Sequence, residues 1–138
     1  MVSTFILMPI AYQRNDQRLL ITVTVTDPCS VDDISSVIDR QAGEDTWAYA
    51  VLYDLRAMTD ASTEADLQQL AERVKVAGGE RERGPVGIAI RARPALFLLG
   101  LMYVTLIKDF VTVEVLLTAA QIDAWLVRNA PSGSSRRQ

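Results

Sequence analysis

Leu19 to Thr26 alternates strictly, with Ile21, Val23 and Val25 on one side and Thr22, Thr24 and Thr26 on the other. A period of two predicts a strand with one buried face and one wet face. The preceding run, Phe5 to Tyr12, is also β-like but holds Pro9, which places it at an edge or a bend. Gln13 to Arg18 contains Asn15-Asp16, a turn signal, so the two runs are expected to form an antiparallel hairpin.

Beyond Asp27-Pro28-Cys29 the period changes. Ser30 and Asp33 form a capping box, Val31, Ile34, Val37 and Ile38 a helical stripe, and Gly43 a stop. Trp47 to Leu55 is nearly all apolar and too short for a typical helix, which predicts a central strand covered on both sides. Thr63 and Asp66 make a second capping box ahead of the stripe Leu67, Leu70, Ala71, Val74, Ala77, which Gly78-Gly79 ends. Glu80 to Pro85 reads as a charged surface loop, and Val86 to Ile90 as a short buried strand. Pro94 suits the first turn of a third helix running to about Lys108. Val111, Val113 and Val115 alternate with Thr112 and Glu114. Thr118 and Gln121 form a third capping box before a helix with Ile122, Trp125 and Leu126 on one face.

The order is ββαβαβαβα, which implies a single α/β domain. Its sheet is mixed but mostly parallel, with helices packed on it and an antiparallel addition at the N-terminus. The domain is expected over residues 1–130. Pro131 stops the last helix, and residues 131–138 read as a disordered tail. A chain of 138 residues is one domain by size.

Composition removes function classes rather than adding them. There is no histidine, which excludes His-based triads and His metal sites, and one cysteine, Cys29, which excludes an internal disulfide and thiolate zinc. Net charge is −3, so a nucleic-acid partner is not expected. The longest apolar stretch, Pro94 to Ile107, is shorter than a bilayer span, and the N-terminus lacks a basic leader and a cleavage site. A cytoplasmic protein with no cofactor and no metal is expected.

The element order, the Pro9-Ile10-x-Tyr12 start and the stretch Tyr53-Asp54-Leu55-Arg56-x-Met58-Thr59-Asp60 resemble the STAS domain of anti-sigma-factor antagonists. The resemblance is closer to the small stand-alone bacterial SpoIIAA-like proteins and covers roughly residues 8 to 129. It implies a non-enzymatic regulatory module. The family's strand exit carries an Asp-Ser-Ser-Gly-like sequence whose first serine is phosphorylated. Here Asp60-Ala61-Ser62-Thr63 stands in that place, with Ala61 at the acceptor position and Thr63 at the glycine position. The family phospho-switch is therefore not expected. Thr59, Asp60, Ser62 and Thr63 stay as a candidate regulatory rim, and the plainer reading is that they cap the second helix.

Ligands of open α/β sheets bind outside the C-terminal ends of the strands. Asp54, Arg56, Arg91 and Arg93 fall there, beside two helix starts, and could hold a small anion. The plainer reading is solvated loop residues in weak ion pairs. The third helix has no polar face, which calls for a partner chain, an apolar ligand or a second covering layer. Phe97, Leu98, Leu101, Met102 and Val104 are its candidate interface residues, and Gly100 permits close approach of another backbone. Cys29 lies before a helix start, where the dipole could lower its pKa, yet no base or second thiol accompanies it. The acidic pairs Asp32-Asp33 and Glu44-Asp45 read as helix-end and loop residues rather than facing catalytic carboxylates.

Two functions remain. One is a protein-interaction or regulatory module with a protein partner or self-association as a homodimer. The other is a carrier or sensor of a small anion or apolar, lipid-like molecule, bound at the strand ends beside the third helix. No nucleophile–base pair can be assembled, so an enzyme is not expected.

Overall fold

The computed structural model describes residues 10–27, 29–58 and 63–131. The hairpin forms as the alternation requires, from β1 (Ile10–Asn15) and β2 (Leu20–Val25). β1 continues through Gln13, Arg14 and Asn15, where the sequence placed a turn. These polar residues pair with Thr22, Ile21 and Leu20, and an edge strand tolerates them because much of it faces water. The turn starts one residue later, with the Arg18 amide donating to Asn15 Oδ1 at 3.1 Å. Phe5 to Pro9 of the expected first strand lie outside the described residues.

The order continues as α1 (Val31–Gly43), β3 (Ala50–Asp54), α2 (Glu64–Gly78), β4 (Val86–Ala89), α3 (Pro94–Ile107), β5 (Val113–Leu116) and α4 (Ala119–Asn129). The five strands lie in sequence order, antiparallel at β1–β2 and parallel from β2 to β5. The described residues thus form an α/β fold with a mixed sheet and four helices. Right-handed crossovers that all step the same way put their helices on one face. Val37 and Ile38 of α1, Leu70 and Val74 of α2 and Ile107 of α3 accordingly share one core with Ile21, Val23, Val25, Val51 and Ile88. The opposite strand positions, Leu20, Ala50, Leu52, Ala89 and Leu116, pack with Ile122 and Trp125 of α4.

Two of the three predicted capping boxes are complete. At Ser30 and Thr63 both bonds of the capping box are present, with Asp33 and Asp66. At Thr118 only one is. The Thr118 side chain accepts from the Gln121 amide, but Gln121 Oε1 accepts from Leu117 instead of the cap residue. Trp47 to Tyr49 is not strand, because the Tyr49 amide turns back to the Thr46 carbonyl at 3.0 Å. Trp47 is buried and lies over Gly78 of α2.

Candidate functional site

A cavity of about 620 Å³ opens on the three-helix face, at the C-terminal ends of β3 and β4. α1, α2 and α3 each present apolar side chains to it. α1 contributes Val31, Ile34 and Ile38, α2 contributes Leu67 and Leu70, and α3 contributes Leu96, Leu99, Gly100 and Tyr103. Tyr53, Leu55 and Met58 line it from β3 and its exit, and Ile88 and Ile90 from β4 and its exit. Volume and lining match small-molecule sites, which run about 300–1,000 Å³ with few polar groups on apolar walls.

The polar groups gather at two ends. Cys29, Ser30, Asp32, Asp66 and Gln69 lie toward the starts of α1 and α2. Burial, with Asp33 and Asp27 nearby, pushes the Cys29 thiol up to about 11. The sequence allowed a dipole-lowered thiol, and desolvation outweighs the dipole. Alkylation of Cys29 by iodoacetamide should therefore be slow at pH 8, with its rate rising to a midpoint near pH 11. A midpoint at the free-thiol value, about 8.5, would contradict this.

At the other end stand Tyr53 and Tyr103, both half-buried. One helical turn below Ile38 of α1, Gln41 is fully buried and accepts from Arg83 Nη2 at 3.0 Å. The Arg83 guanidinium stacks on Trp47 at 4.1 Å, and only 8% of the residue is exposed. Its Nε and Nη1 have no hydrogen-bond partner, and no Asp or Glu among the described residues pairs with it. Burial raises the Tyr53 phenol, and the approaching Arg83 cation draws it partly back. Burial likewise raises Tyr103, opposed by Arg83. The charged loop expected on the surface thus sends one arginine inward. Nothing in the Glu80-Arg81-Glu82-Arg83 pattern marks which one, because its partners lie 36 and 42 positions away.

Of the residues singled out at the strand ends, Asp54, Arg56 and Arg91 come together, Arg93 makes no side-chain hydrogen bond with them, and none of the four lines the cavity. Asp54 takes both Arg56 Nε and Nη2 at 2.9 Å, and the Arg56 guanidinium holds its carboxyl below the usual range. Arg91 Nε donates to the Arg56 carbonyl at 2.7 Å. Arg93 is the N-cap of α3 without a side-chain cap bond. Of the candidate regulatory rim, Thr63 caps α2, while Thr59, Asp60 and Ser62 lie outside the described residues.

α3 is divided. Its Leu96–Tyr103 flank lines the cavity, and Ile107 is in the core. Phe97, Leu98 and Leu101 are exposed, Leu98 at 61%, and Met102 and Val104 are half-buried. Gly100 lies against the Val115 side chain of β5. No helix among the described residues is long and apolar enough to cross a membrane. No group of three or more His, Cys, Asp or Glu among them could hold a metal ion. No protein-family model matches this sequence, and no curated protein matches it.

Proposed function

We propose that this protein is a non-enzymatic intracellular binding domain, a carrier or sensor that takes a small, largely apolar molecule between α1, α2 and α3. The observation that carries this reading is the cavity of about 620 Å³, walled largely by apolar side chains of α1, α2, α3 and the strands β3 and β4 with their exits. A concave, largely apolar space with a few polar groups in its lining is the usual form of a small-molecule site. The lack of a polar face on α3 fits the same reading, since one flank is reserved for a ligand. The STAS-like element order and the Tyr53-Asp54-Leu55-Arg56 strand exit support a sensor or regulator over an enzyme.

The neutral fluorophore N-phenylnaphthylamine is expected to bind saturably at one site per chain. Leu99→Trp fills part of the cavity from a half-buried position and should weaken that binding about tenfold, roughly 1.4 kcal/mol, without loss of stability. Absence of saturable binding, or equal binding by Leu99→Trp, would overturn the reading.

A second reading rests on the exposed flank of α3, where Phe97, Leu98 and Leu101 form an apolar patch suited to a protein partner or to self-association as a dimer. It predicts a concentration-dependent dimer in sedimentation that Leu101→Glu dissociates, and a monomer at every concentration would remove self-association.

A further inference from the structure

The buried guanidinium of Arg83 poses a chemical question that the fold leaves unanswered. Arginine stays charged at every pH a protein meets. A buried charge is normally paired, and an unpaired one carries a large desolvation penalty. Here Nη2 donates to the Gln41 amide oxygen, the Trp47 face receives the guanidinium and the Tyr53 hydroxyl is near it, while Nε and Nη1 have no hydrogen-bond partner and no carboxylate among the described residues answers the charge. Two of the side chains that line the cavity, Tyr53 and Tyr103, also feel this cation. The Tyr53 hydroxyl interacts with Arg83, and the Tyr103 hydroxyl makes no hydrogen bond to any described residue. The cavity floor thus offers two phenolic donors backed by a fixed positive charge. The far end differs, because Asp32 and Asp66 lie there and would repel a second anionic group.

We propose that the cavity is built for an amphipathic monocarboxylate. Its apolar body lies among Ile34, Ile38, Leu70 and Leu99, and its carboxylate sits on the Tyr53 and Tyr103 hydroxyls over Arg83. This rests on the cavity being a ligand site and adds which ligand it takes. The carboxylate supplies the missing counter-charge, accepts from both phenols, and displaces no existing ion pair. Charge-assisted hydrogen bonds of this kind are about twice as strong as neutral ones and set the orientation of the bound molecule. The apolar walls, in turn, fix chain or ring bulk rather than a polar pattern.

Displacement of N-phenylnaphthylamine by decanoate and by decanol tests this, because the two differ only in the head group. The wild-type protein should release the fluorophore at a decanoate concentration at least about tenfold below that of decanol. Arg83→Gln should abolish that preference while still binding the fluorophore. Should Arg83→Gln fail to fold, Tyr53→Phe and Tyr103→Phe each remove one hydroxyl alone, and each should reduce the preference several-fold. Equal displacement by the two competitors, or a preference that survives these substitutions, overturns the inference and leaves the ligand cavity standing. A wild-type protein that does not bind the fluorophore at all removes the cavity reading, and the carboxylate with it.

Discussion

Trp125→Ala is expected to cost about 3–5 kcal/mol of stability, the range for deleting a large buried aromatic side chain. Trp125 is 1% exposed and is the largest fully buried side chain among the described residues. It is the centre of the smaller core, where α4, among the described residues, packs on the face of β2 to β5 opposite the other helices. Its indole rests directly on Gly87 of β4, where a Cβ would stand 2.8 Å from the ring. No second helix among the described residues packs on this face to fill the space left behind. Domains of this size hold about 5–15 kcal/mol in total, so the variant should sit near the edge of folding. Urea denaturation gives the difference directly, with an unchanged m-value if the unfolding remains two-state. Val127 on the same helix is 71% exposed, and Val127→Ala should stay within about 0.5 kcal/mol. Similar midpoints for the two variants would contradict the placement of α4.

Gly84→Ala is the second large effect. Gly84 follows Arg83 in the loop before β4, and its amide donates to the Trp47 carbonyl at 3.0 Å. A Cβ at this position would lie 2.2 Å from the Tyr49 carbonyl oxygen and 2.4 Å from that of Ala48. Both obstacles are backbone, so no rotamer change relieves them. The loop would have to lift away from residues 47–49, breaking the Gly84–Trp47 bond and shifting Arg83 off the Trp47 ring. Overpacking commonly costs about 1–3 kcal/mol, and a rigid clash with lost hydrogen bonding belongs at or above the top of that range. Denaturant midpoint and Trp47 fluorescence should change together, because the same displacement moves the cation from the indole. A midpoint shift below about 1 kcal/mol would show that the loop is looser than the contacts imply.

Local rules carried the fold a long way and the site only a short way. The Ile21-Val23-Val25 alternation, the boxes at Ser30 and Thr63, and the stripe from Leu67 to Val74 each depend on neighbours within four residues, so they were readable along the chain. The errors fall where distant residues decide. Gln13 to Asn15 look like turn residues until β2 pairs with them. Trp47 to Tyr49 look like strand until Trp47 seats on Gly78, and Tyr49 hydrogen-bonds Asp16 at 2.8 Å across the molecule. Arg83 looks like one of four solvated charges until Gln41 and Trp47 bury it. The cavity is the extreme case, since its walls belong to segments spread from Cys29 to Tyr103 and each wall alone reads as ordinary core. The absence of a polar face on α3 was the one local sign that pointed to it.

Methyl-resolved NMR during a decanoate titration tests the central claim most directly. Binding between α1, α2 and α3 predicts shifts concentrated at Ile34, Ile38, Met58, Ile90 and Leu99, with Leu116 and Ile122 beyond the sheet unmoved. Shifts confined to Leu98, Leu101 and Leu106 on the exposed flank of α3, or no saturable shifts at all, would contradict it.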